Sequence, residues 1–119
     1  MRTLGENDRL PQGSTVATIG MFDGVHRGHV LLVDFLKRQA EQAGKQSLVI
    51  TFRHHPRQVL HPDGDFRLIM PTEDRLKHLG ALNPDLLLPL DFTRELSQLD
   101  SCQFIELLHD RYGDRKSVV

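Results

Sequence analysis

An α/β fold on a parallel sheet is predicted by three observations. Short β-branched or apolar runs recur at Val16–Ile19, Ser47–Phe52 and Leu86–Leu90, and stretches with helical apolar spacing separate them. The second and third runs are too short for helices and continuous rather than alternating in apolar character, as in strands covered on both faces. Strands that alternate with helices join through right-handed crossovers, which predicts a three-layer α/β/α arrangement.

The elements follow in order. Residues 1–14 are polar, with Pro11, Gly13 and Ser14 before the first strand, and read as an irregular lead-in to a domain over residues 15–119. A strand at Val16–Gly20 turns at Met21–Val25 into a helix from about His26 to Ala43. Leu32, Phe35, Leu36, Ala40 and Ala43 keep the three-and-four spacing of one buried face, and Gly44 stands where a left-handed cap belongs. After the second strand, residues 53–68 are rich in His, Pro, Gly and Asp and read as loop. Thr72, Glu73 and Asp74 open a second helix with Leu76, Leu79 and Leu82 inward, ahead of the third strand. Ser101 is the expected cap of a last helix with Phe104, Ile105, Leu107 and Leu108 inward, and Ser117-Val118-Val119 opens a fourth strand. Ligands of such sheets bind at the carboxyl ends of the strands. Gly20–His29 and Phe52–Pro56 both follow such ends and are expected to share one edge. Strand order does not follow from the sequence.

At 119 residues the chain is one domain of typical size. Apolar residues make up 39% and charged residues 26%, the balance of a globular rather than a disordered chain. No apolar run reaches the roughly 20 residues that span a bilayer, and the first residues carry no secretory signal. With Cys102 as the single cysteine no internal disulfide forms, and the cytoplasm is the expected compartment. A net charge of −1 leaves no basic footprint for nucleic acid. It is compatible with a phosphate-bearing small molecule, which needs a few local donors.

Those donors are expected in Gly20-Met21-Phe22-Asp23-Gly24-Val25-His26-Arg27-Gly28-His29. A helix N-terminus offers unpaired N–H groups and a positive dipole end to an anion. His26 and His29, three apart, lie on one face and add donors. Gly28 is informative, because glycine in a helix costs about 1 kcal/mol relative to alanine. A base or phosphate against bare backbone would explain it, whereas the plainer reading is two surface histidines with Gly28 easing packing. Asp23-Gly24 is either a simple turn or a carboxylate near a magnesium–nucleotide or the ribose. Thr51-Phe52-Arg53-His54-His55-Pro56 is the second constellation. Its spacings with His26 and His29 match no zinc pattern, and one of His54 and His55 is expected to face the ligand. His61, His78 and His109 read as solvated, and Cys102 as a small core residue. No Gly-x-Ser-x-Gly elbow, Walker loop or Gly-x-Gly-x-x-Gly is present.

These two motifs, with Val59-Leu60, Pro62, the Glu73 helix and Asp91–Leu108, resemble the adenylyltransferase module of the bacterial FAD synthetase family, usually a bifunctional riboflavin kinase/FMN adenylyltransferase. The resemblance implies a Rossmann-like sheet of the HxGH nucleotidyltransferase type and the reaction of ATP with FMN to give FAD and pyrophosphate. It implies that His26 and His29 are catalytic and contact the ATP phosphates, with Gly20, Phe22, Asp23, Gly24 and Gly28 also on ATP. His55, Pro56 and Phe104 would contact FMN. Mg2+ would arrive with ATP, held by phosphate oxygens rather than by a protein metal site. Met21 replaces a frequent Asn, and Arg53-His54 stands where Asp/Glu-Pro is usual. The family continues beyond the Val118-Val119 strand with a flavin and nucleotide loop, a Ser/Thr-rich ATP motif and a riboflavin kinase domain. The chain therefore reads as the N-terminal part of such a protein, with the sheet incomplete at the C-terminus and weak or no turnover expected alone. Two rival readings are a related enzyme with another acceptor (a cytidylyltransferase or pantetheine-phosphate adenylyltransferase), against which Thr51–Pro56 argues, and a non-catalytic nucleotide-binding domain.

Overall fold

The computed structural model describes residues 2–5, 8–10, 13–53, 71–91, 93–100, 102–104, 106–107 and 114–118. Five strands, β1 (Arg2–Thr3), β2 (Thr15–Ile19), β3 (Gln46–Phe52), β4 (Leu86–Leu90) and β5 (Asp114–Val118), form one sheet in the order β1-β4-β3-β2-β5. Every pairing is parallel. Helix α1 (Arg27–Ala43) joins β2 to β3, α2 (Thr72–Ala81) lies between β3 and β4, and α3 (Arg94–Ser97) follows β4.

Alternation along the strands sends side chains to two cores. Val16, Val49 and Leu87 pack with Phe22, with Val33, Leu36 and Ala40 of α1, and with Leu79 of α2. Ala17, Leu48, Ile50, Leu86 and Leu88 face the other way, where Leu4 and the half-buried Phe104 cover them. This is the predicted three-layer arrangement. Fully burying each of these leucines and valines contributes about 1.5–3 kcal/mol. Among the described residues no helix is long and apolar enough to cross a membrane.

Several expectations are corrected. Residues 1–14 are not irregular throughout, because Arg2 and Thr3 pair with Leu86 and Leu87 of β4. Leu4 is buried beside them. Two residues of strand carry too little periodicity to be seen in a polar lead-in. The buried stripe of α1 is Val33, Leu36 and Ala40, while Phe35 and Ala43 are exposed. The stripe is centred on the side chains that meet Val16 and Val49, and Phe35 falls on its outer flank. Cys102 is exposed rather than a core residue. Asp100 caps the helical turn at 102–104, and Ser101, the expected cap, lies outside the described residues. The Gln103 N–H donates to Asp100 Oδ1 at 2.8 Å, and the Asp100 N–H donates to Gln103 Oε1 at 3.0 Å. Gly44, by contrast, takes the expected left-handed conformation at φ 67°, with the Lys45 N–H closing on Ala40 O at 2.8 Å.

Strand order places the ligand edge. The chain steps from β2 to β3 to β4 in one direction, then returns to the far side of β2 for β5. The carboxyl ends of β2 and β5 therefore flank the topological switch point, the crevice where open α/β sheets bind ligands. Residues 20–29 leave β2 there.

Candidate functional site

The turn after β2 is tightly built. The Gly20 N–H donates to Ile50 O at 3.1 Å, extending the β2–β3 ladder. A Cβ on Gly20 would lie 3.2 Å from the Phe22 ring, so glycine lets that ring fold back under the turn. Phe22 is 4% exposed and packs with the α1 side of the core. Phe22, Gly24 and Val25 have φ of 54°, 83° and 41°. The Val25 N–H donates to Phe22 O at 3.1 Å, with Gly24 at the third position, where a type II turn requires positive φ. Positive φ at a β-branched residue such as Val25 is strained, and such strain persists where surrounding packing over-determines it. Burial of Phe22 supplies that packing.

His26 and His29 form a reciprocal cap on α1. His26 is the N-cap, and its Nδ1 accepts from the Gly28 N–H at 3.2 Å. His29, three residues on, accepts from the His26 N–H through its own Nδ1, also at 3.2 Å. This is the capping box that Ser/Thr and Glu/Gln usually make, built from two imidazoles. A ring that accepts at Nδ1 carries its single proton on Nε2 when neutral. Both rings thus hold an Nε2–H donor on the side away from the cap. The rings stack with centroids 3.7 Å apart, and the Phe22 ring meets His29 edge-on at 5.2 Å. Burial holds the His29 pKa below its ordinary 6.5, the nearby His26 lowers it further, and Asp23 works in the opposite direction. No acidic residue occupies the first turn of α1, and the carboxylate that acts on it, Asp23, belongs to the preceding turn.

Gly28 has an explanation within the chain. A Cβ there would lie 3.2–3.3 Å from the His26 imidazole. The bare backbone makes room for the capping ring itself.

One residue that the sequence reading missed lies under both motifs. Arg75, in the first turn of α2, is 0% exposed. Its Nη1 donates to Met21 O at 2.9 Å and to Thr51 Oγ1, and Thr51 Oγ1 donates to Met21 O at 3.1 Å. Its Nη2 donates to Phe52 O at 2.6 Å and to Arg53 O at 3.3 Å. Burial lowers the Arg75 pKa and Asp23 opposes that shift. A signal existed: Arg75 stands four before Leu79 and seven before Leu82, on the face predicted to be buried.

The second motif is described only through Arg53, so His54, His55 and Pro56 lie outside the described residues. The Arg53 N–H donates to Leu90 O at 2.9 Å, and its Nε lies 3.7 Å from Asp91 Oδ1. The residue that replaces the usual acid is therefore half-exposed and paired, an arrangement worth little stability. Phe104 lies in a mainly apolar cavity of about 360 Å³ with Gly20, Phe52, Leu96, Leu99 and Asp100, on the face opposite α1. Gly20 borders both this cavity and the turn. His26, His29, Phe22, Asp23 and Gly28 are thus gathered at the switch point, with Phe104 across the sheet edge.

A parallel sheet whose first crossover starts in a strained turn and a histidine-capped helix defines a Rossmann-like α/β domain with its ligand edge at the carboxyl ends. A family model described as FAD synthetase matches residues 9–119. The chain belongs to the FAD synthetase family. It is 35% identical over 96 residues to the bifunctional riboflavin kinase/FMN adenylyltransferase of Bacillus subtilis, which covers 80% of this chain and 30% of that protein. It is 35% identical over 109 residues to the protein of the same description from Pseudomonas fluorescens, covering 90% and 34%. The Escherichia coli K12 protein of that description is 29% identical over 105 residues, covering 88% and 34%. The chain thus spans about a third of the length of the curated relatives it matches. The crystal structure of a protein described as a macrolide-efflux protein from Streptococcus pneumoniae superposes with a TM-score of 0.71. It is 24% identical and covers 92% of this chain and 39% of that one, which shows the shared fold.

Proposed function

We propose that this chain forms an FMN adenylyltransferase module, which transfers the adenylyl group of ATP to FMN and releases pyrophosphate, in FAD biosynthesis. The observation that carries the reading is the His26–His29 box. It caps α1 through both Nδ1 atoms and so commits both Nε2–H donors to whatever lies beyond the helix end. Family membership and the names of the relatives supply the reaction.

In the reaction an FMN phosphate oxygen bonds to the α-phosphorus of ATP. The bond from that phosphorus to the oxygen bridging to the β-phosphate breaks, and pyrophosphate leaves with the electron pair. Negative charge is redistributed over phosphate oxygens throughout, so catalysis rests on positioning and fixed donors. The ATP phosphates would lie across the α1 N-terminus, taking N–H groups of its first turn and the two imidazole donors. The neutral state favoured for His29 keeps its Nδ1 free to accept from the cap. Mg2+ would enter with ATP and neutralise phosphate charge. Asp23, a carboxylate in the turn itself, is the hard oxygen donor the chain offers, which suits an ion held mostly by phosphates. The cavity containing Phe52 and Phe104 would receive the flat flavin ring, with His55 and Pro56 toward the FMN phosphate. A riboflavin kinase domain is the proposed partner within the full-length protein, and the cytoplasm the proposed compartment.

The test is FAD formation from FMN and MgATP by the 119-residue chain and by a polypeptide extended through the downstream reading frame. The extended protein is expected to make FAD and the shorter chain to make little. His26→Ser and His29→Gln retain capping groups at N-cap and N3 while removing the imidazole donors. Each is expected to lower the rate by about 10²–10³-fold, as for loss of one transition-state donor. An extended protein that makes no FAD, or variants that match the parent, would overturn the reading. A panel with CTP and other phosphate acceptors separates the related transferases.

A further inference from the structure

We propose that Arg75 is a positioning residue, a buried brace that fixes the Gly20–His29 turn and the exit of β3 at one relative height so that the two substrate segments act as a unit. Its two terminal nitrogens divide between the segments. Nη1 serves Met21 O and the Thr51 hydroxyl, and Nη2 serves the carbonyls of Phe52 and Arg53. Both sets of acceptors lie on backbone that has left the β2–β3 ladder or is leaving it. Met21 precedes Phe22, whose φ is 54°, so orienting the Met21 carbonyl orients the peptide plane that enters the strained turn. Thr72 adds to the far side, donating from Oγ1 to Arg53 O at 2.7 Å. Both side chains come from the first turn of α2, which makes that helix the common support of two loops it does not belong to.

Only a planar fork serves this purpose. A guanidinium presents donors in a fixed plane and spans two acceptor sets, whereas an ammonium offers three donors from one point. Nε is buried and makes no hydrogen bond among the described residues, so the hydrogen bonds of the guanidinium there all run through its two terminal nitrogens. A buried cation held mainly by backbone carbonyls is an expensive way to stabilise a fold, since burying it disfavours the charge. It is intelligible where backbone placement matters.

The catalytic consequence rests on the adenylyltransferase reading, but the brace itself is tested without substrate. Amide hydrogen exchange is measured by mass spectrometry on the parent, Arg75→Lys, Arg75→Met and Thr51→Val. In Arg75→Met, exchange at residues 21–25 and 52–53 is expected to rise together by about tenfold or more, the scale of losing hydrogen bonds to a charged donor. Exchange at Leu48–Ile50 should stay at the parent level. Arg75→Lys, which decides the question if Arg75→Met does not fold, is expected to loosen one segment and spare the other. Thr51→Val should loosen only residues 21–25. Exchange unchanged in both segments of Arg75→Lys, or raised evenly through the sheet, would overturn the brace. In the FAD assay on the extended protein, Arg75→Lys should lower kcat by roughly 10²-fold with little change in KM for ATP, as expected of misplaced reacting groups. An equal fall in folded protein and rate would mark a merely structural residue. If the parent makes no FAD while the exchange pattern holds, the functional reading fails and the brace stands.

Discussion

Helices α1 and α2 pack on the same face of the sheet and both begin at its carboxyl edge, yet their first turns are built in opposite ways. Helix α1 is capped by two imidazoles, has no acidic residue in its first turn, and follows a turn with three positive φ angles. Helix α2 follows Pro71, has no side-chain cap, and carries Glu73 and Asp74 in its first turn. Carboxylates there answer the positive end of the dipole from within the chain. The start of α2 is electrostatically complete, and it sends its one buried cation, Arg75, across to the neighbouring loops. The start of α1 is the one proposed to take an anion from outside. Two helix N-termini at one edge thus differ in build, one bracing the neighbouring loops and the other proposed as the site.

The largest expected effect attacks the support of the α1 start. Phe22 is the turn residue buried within the core, with Val25 packed against it, so Phe22→Ala should lower stability by about 3–5 kcal/mol in urea denaturation, within the range for buried phenylalanine. Leu79→Ala, the equivalent lesion under α2, should cost about 2–5 kcal/mol but leave the exchange of residues 22–29 near the parent level. Similar exchange in the two variants would erase the distinction between the two regions. Gly24→Ala is the next step down. At φ 83° an alanine is in the left-handed region, and the loss should be about 1–2 kcal/mol. No loss would show that the turn relaxes and is not held.

How far this division was legible in the sequence follows the same line. The α1 start was readable because its signals are local: Asp23-Gly24 for the turn, His26-x-Gly-His29 for the helix end, Gly44 for the stop. The layers were readable because continuous apolar runs are specific to buried parallel strands. What escaped depends on contacts between segments distant in the chain. Arg75 finds its acceptors 22 to 54 residues away. Residues 2–4 become strand and core only because β4 offers an open edge, and strand order depends on a return across the sheet that no local pattern encodes. Gly28 stands out in the sequence, but its close approach to the His26 ring, two positions back, shows only in three dimensions.

A smaller effect separates the two helix starts by pH. Because burial and His26 keep the His29 pKa below 6.5 in the folded chain, the unfolded chain takes up the proton first as the pH falls. The unfolded state then binds more protons, so stability contributed by His29 is fully present above about pH 6.5. It declines as the pH drops from there through the lowered folded-state value. Protonation must occur at Nδ1, the atom that accepts from the His26 N–H, so the same proton opens the cap. Urea titrations between pH 8 and pH 5 should show this decline in the parent and a shallower one in His29→Gln, which caps without titrating. Identical slopes would mean that the His29 cap does not control the acid response.

The smallest effect tests the dipole argument itself by exchanging the character of the two starts. Arg27→Glu places a carboxylate in the first turn of α1, where it should raise stability by about 0.3–1 kcal/mol at low salt. Glu73→Gln removes one from α2 and should lower stability by a similar amount. Both changes should shrink as salt screens the exposed first turns. Their consequences for nucleotide should differ. On the proposed reading the new carboxylate at α1 would compete with phosphate for the same N–H groups and should weaken MgATP binding, measured by titration calorimetry, even as the chain becomes more stable. The α2 change should leave binding unaltered, since the proposed phosphate site is at α1. A gain in stability that leaves affinity unchanged in Arg27→Glu would place the phosphates elsewhere on the sheet edge and remove the reason for the α1 start to lack carboxylates.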